Sequence, residues 1–120
     1  MSNFGALLPM AIERDEIGCW THPVYQDYYS KVLGGVERWT EEEWQAFELN
    51  FNIKAVYKSF YDDVSVEVAD KFDKAEDPDL TFWEPTNPEG EGWFIIQIHH
   101  SEDGPYVVWA KPVDTEEQVK

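Results

Sequence analysis

The chain has 120 residues, 25 acidic against 9 basic for a net charge of −16, and is 42% hydrophobic with six Trp. That length suits one domain (1–120), and the aromatics bring enough burial area for a core, which excludes disorder from end to end. The charge repels phosphate backbones and anionic membrane surfaces, so no direct nucleic acid and no membrane contact is expected.

Residues 1–8 read as an arm. The opening apolar run has no basic residue before it, and Glu13, Asp15 and Glu16 follow at once. It therefore resembles neither a signal peptide nor a membrane span. Pro9 suits a first helical turn and Gly18 a helix end, which predicts a helix over 9–17. Residues 18–36 carry Pro23 and paired glycines and are expected to be irregular. Trp20, Tyr25, Tyr28, Tyr29 and Trp39 cluster over 20–39, as core or as a partner-binding surface. The lone Cys19 rules out an internal disulfide and fits a reducing, cytoplasmic setting.

The next stretch, WTEEEWQAFELNF, predicts a helix over 40–51. Thr40 and Glu43 make a capping box, the first-turn glutamates favour the helix dipole, and Trp44, Phe47 and Phe51 recur at core spacing. Residues 53–59 alternate as a strand. Residues 62–77 fit both periods; the helix-forming run 69–76 favours a helix over 62–76, capped by Asp62 or Asp63. Prolines and glycines make 77–92 a loop. Strands follow at 93–100 and 105–111, joined at Asp103 and Gly104, which would set Ile98 opposite Trp109 and His100 opposite Val107. Residues 113–120 read as a frayed tail. The expected fold class is α+β: an antiparallel sheet of three or more strands with a C-terminal β-hairpin, packed against one or two helices.

Chemical sites are sparse. Cys19 and His22 form a C-x-x-H pair that could join His99 or His100 around a metal. However, adjacent strand residues face opposite ways, and structural zinc sites usually show two ligand pairs. No nucleophile elbow, zincin helix, phosphate loop or dinucleotide fingerprint is present, so no catalytic residue, cofactor or resident metal is expected. The plainest signal is acidic: residues 62–91 hold eleven acidic and two basic side chains, a net of −9. On one helix, Asp63, Glu67, Asp70 and Asp77 would share a face with Asp73 beside it. At about 1.5 Å per residue that stripe runs roughly 20 Å, a length comparable to a few DNA phosphates.

Two stretches, ALLPMAIERDEIGCWTHP (6–23) and GEGWFIIQIHHSEDGPYVVWAKP (90–112), resemble parts of small acidic accessory proteins of enterobacterial phages and prophages. The likeness implies a cytoplasmic accessory role in a host cell and transfers no site residue. With the charge, it leads to the expectation of a non-catalytic protein that binds a host protein through an acidic surface. The sharpest form is a DNA mimic inhibiting a nucleic-acid-processing or defence system, restriction or CRISPR, by occupying its basic groove. Two alternatives stand beside it: a metal-binding domain or metal-dependent enzyme using His22, His99 or His100, and a structural protein forming homo-oligomers.

Overall fold

A computed structural model describes residues 7–34, 39–76, 79–101 and 104–113. The elements in chain order are β1 (Trp20–Thr21), α1 (Pro23–Val32), α2 (Glu41–Phe51), β2 (Ile53–Ser59), α3 (Phe60–Asp63), α4 (Val66–Lys74), β3 (Phe94–Ser101) and β4 (Gly104–Pro112). All strand pairs are antiparallel, in the order β1-β3-β4-β2, so the fold is α+β with the hairpin β3–β4 at its centre. The short β1 is the strand that the sequence pattern did not reveal.

The first face of the sheet is closed by two helices. α2 begins as its sequence dictates: the Thr40 hydroxyl accepts from the Glu43 amide, and the Glu43 carboxylate accepts from the Thr40 amide. It stops at Asn52, a residue type that tolerates the left-handed backbone it adopts (φ 55°), and the chain turns directly into β2. Phe47 is fully buried at the centre of an aromatic cluster with Tyr25, Tyr28, Trp39, Trp44 and Phe51. That cluster sits on Ile53, Ala55, Phe94, Ile96, Val108 and Ala110 of the sheet. The aromatics of 25–39 are therefore core. Their helix α1 replaces the irregular stretch expected over 18–36, because Pro23 occupies its first turn rather than breaking structure.

The opposite face packs Phe60, Phe72, Leu80 and Trp83 against Ile98, Val107 and Trp109. A bulge lets β3 serve both faces: the register shifts between Ile95 and Gln97, so Ile96 joins the first core while Ile98 joins the second.

Four expectations are corrected. Residues 9–17 are not helical. The Asp15 carboxylate instead accepts from the amides of Ile17 and Cys19 and folds a tight loop. In that loop Gly18 adopts φ +87°, and a Cβ there would lie 2.5 Å from the Leu80 carbonyl carbon. The expected arm 1–8 is anchored at its end, since Leu7 is buried in the first core. The helix over 62–76 is two helices. Ser65 takes an extended backbone and caps α4 by accepting from Val68, so neither Asp62 nor Asp63 serves as the cap. In the hairpin, Ser101 pairs with Gly104, which sets Ile98 opposite Val107 and His100 opposite Pro105. Gly104 lies against Tyr61, whose ring a Cβ would meet at 2.5 Å. The arm 1–6, the tail 114–120, Asp77 and Asp103 lie outside the described residues.

Candidate functional site

The second face is covered by short helices and loops, and polar crosslinks hold them. The Arg14 guanidinium donates to the carbonyls of Gly18, Trp83 and Leu80, and the Leu80 amide donates to Ile17. These bonds join the 13–18 loop to the 79–86 loop across more than sixty positions of chain. Asp63 makes a second tie: its carboxylate accepts from the Trp83 indole at 2.9 Å and the Thr86 amide at 3.1 Å. Partial burial works against the charged form, but those donors outweigh it and hold the carboxyl below its ordinary value.

The consequence is an acidic layer drawn from three separate stretches of chain. Glu13, Asp15 and Glu16 come from the first loop, Asp62, Glu67, Asp70, Asp73 and Glu76 from α3, α4 and the turn after it, and Glu84, Glu89 and Glu91 from the second loop. All eleven are exposed. Their cationic company within those stretches is Arg14, already committed to carbonyls, with Lys71 and Lys74 on α4. Among the described residues no carboxylate is fully buried.

The acidic residues expected to form one stripe divide by role. Glu67 is exposed without a partner among the described residues. Asp70 pairs with Lys74 at 2.9 Å, an exposed contact of small energy. Asp73 accepts from the Tyr61 hydroxyl at 2.7 Å, and this bond raises the phenol pKa. Asp63 belongs to α3 and is turned to Trp83, so it is a structural acceptor rather than a member of a stripe. Glu13 and Glu16 lie outside the expected acidic stretch 62–91, and Glu84 within it was assigned no place in the stripe. Their contribution depends on the Arg14 crosslink, and nothing in the local sequence announces which distant carbonyls one arginine will reach.

The Cys19 thiol meets the backbone of His100, but the three histidines and the cysteine form no side-chain cluster. His22 is buried as the N-cap of α1: Nδ1 accepts from the Val24 amide at 3.1 Å, and Nε2 lies 2.7 Å from the Leu8 carbonyl. That geometry assigns the ring proton to Nε2 and occupies both nitrogens. His99 stacks edge-on to Tyr106 and His100 to Phe72, on opposite faces of the sheet. Burial first, and then the Asp15 charge, pushes the Cys19 thiol up, opposite to what a thiolate nucleophile or ligand requires. Among the described residues no three His, Cys, Asp or Glu side chains gather as a metal would require. No helix there is long and apolar enough to cross a membrane.

No family model, curated protein or solved structure matches the chain.

Proposed function

We propose that this chain is a non-catalytic binding protein whose acidic layer docks on a basic, nucleic-acid-binding groove of a protein partner, imitating the phosphate backbone that groove normally holds. One observation carries the reading. Carboxylates from 13–16, 62–76 and 84–91 stand exposed on the elements covering one face of the sheet, and most have no structural task. Clustering like charges costs stability through self-repulsion, and a folded protein gains nothing internal from it. An opposing basic surface recovers that cost and speeds encounter. The likeness of 6–23 and 90–112 to phage accessory proteins suggests the setting: the cytoplasm of a host cell, with a restriction, CRISPR or other nucleic-acid-processing protein as target.

The test is capture of a nucleic-acid-binding protein from enterobacterial lysate by the tagged chain at low and at high salt. A six-site amide variant serves as control: Glu13→Gln, Glu16→Gln, Glu67→Gln, Asp70→Asn, Glu76→Gln and Glu84→Gln. These positions leave Asp15, Asp63 and Asp73 to their structural bonds. The expected result is capture at low salt that high salt, the variant and added duplex DNA each abolish. Capture that persists with a folded variant sinks the proposal.

A further inference from the structure

Residues 8–13 run without turn or bend between two anchors. At one end Leu7 is buried in the first core and the Leu8 carbonyl meets His22. At the other, Arg14 grips the carbonyls of Gly18, Leu80 and Trp83. Between these anchors every residue is exposed, and no hydrogen bond ties the backbone of 9–13 to any described residue. Leu8, Met10 and Ile12 are 58%, 49% and 39% exposed. Spaced by two, they would share one face of the segment when it pairs as a strand. Other large exposed apolar residues, such as Val32, Leu49 and Val66, stand singly on helices, as is ordinary.

A strap without turn or bend, with open amides at 10–13 and large apolar residues at every second position, can serve as a template for an added strand. We infer that residues 8–13 are a strand-docking site that takes an extended segment of the protein partner, one with apolar residues at alternate positions and Lys or Arg between them. The charge at the strap's end argues for that occupant: Glu13 closes it, and Asp15 and Glu16 follow at the exposed turn. A second copy of this chain would bring a net −16 against −16 and is disfavoured. The inference rests on the acidic-docking reading and adds to it the backbone contact that would give register, which charge alone does not.

The experiment uses the full chain and two synthetic octapeptides, one alternating Val and Lys, the other alternating Ser and Lys. Amide hydrogen exchange is followed by NMR. The Val–Lys peptide is expected to slow exchange at alternate strap amides, those of Ala11 and Glu13, and to leave Met10 and Ile12 unprotected. Ala11→Pro removes one strap donor from an exposed position and is expected to weaken that binding about tenfold, the size of one lost hydrogen bond. The double variant Met10→Ser with Ile12→Ser, which keeps the backbone donors, should weaken it at least as much. Equal affinity for the Ser–Lys peptide, protection elsewhere than the strap, or unweakened binding by both variants overturns the inference. So does a strap-dependent dimer in light scattering. The six-site amide variant answers separately for the acidic layer, so failure of the strap and failure of that layer are told apart.

Discussion

The two faces of the sheet are closed by different means. On the first, α1 and α2 lay an aromatic cluster over the strands, and Phe47 touches Tyr25, Tyr28, Trp39, Trp44 and Phe51. On the second, a four-residue helix, a nine-residue helix and two loops are pinned by Arg14 and Asp63. Apolar packing has no direction and tolerates a polar exterior of any sign. A loop cover needs directed bonds, because its backbone groups lack the ladder partners that helices and strands provide. Both faces bury an apolar cluster, but the second adds directed polar ties and carries the eleven exposed carboxylates of 13–16, 62–76 and 84–91.

Four measurements would break or sharpen that contrast. The largest effect belongs to Phe47→Ala, which should cost about 3–5 kcal/mol by denaturant titration and loosen both helices together. A cost under about 1 kcal/mol would mean that the aromatic cluster does not hold the first face. Arg14→Ala should cost about 3 kcal/mol, since three carbonyls lose a charged donor at once. Its signature is faster amide exchange at 13–18 and 79–86 with α2 left protected. Arg14→Lys should restore little, because an ammonium lacks the guanidinium's fork. Loosening of α2 to the same degree would show the two faces to be one cooperative unit.

Asp63→Ala should cost about 2 kcal/mol by orphaning the buried Trp83 indole N–H. The same carboxylate adds an acid dependence. Its folded pKa lies below the unfolded value of about 3.9, so its contribution is complete above that value and is lost as pH falls through the folded pKa. Asp63→Asn should flatten the stability profile below about pH 4; an unchanged profile would remove Asp63 from that role. The smallest effect is chemical. Native Cys19 should react with iodoacetamide more slowly than in the unfolded chain at the same pH, since burial and Asp15 disfavour its thiolate. Faster native alkylation would contradict that burial and show a thiolate favoured by its surroundings.

Glu48 shows how one sequence pattern can serve two levels. It continues the acidic run of α2, yet its carboxylate accepts from the Ala55 amide at 2.9 Å. That bond occupies part of the open edge of β2, a position where unpaired amides invite aggregation. The sequence places Glu48 on the helix without saying which edge it will meet. His22 is the converse case. It suggested a ligand when paired by spacing with Cys19, and it became a helix cap once Pro23 began α1.

By itself the sequence determined whatever depends on neighbours within a few residues. The capping box of α2, the strand β2, the central apolar hairpin and the acidic balance all follow from local spacing and composition. Tertiary structure decided the rest. The two-residue shift of the hairpin register and the gathering of Glu13, Glu16 and Glu84 beside α4's layer each depend on distant contacts. Gly104 closes against Tyr61, and Arg14 reaches carbonyls 66 and 69 positions away. Local propensity differs by less than about 1 kcal/mol per residue between alternatives, while each such buried or charge-assisted contact is worth more, so the contact prevails.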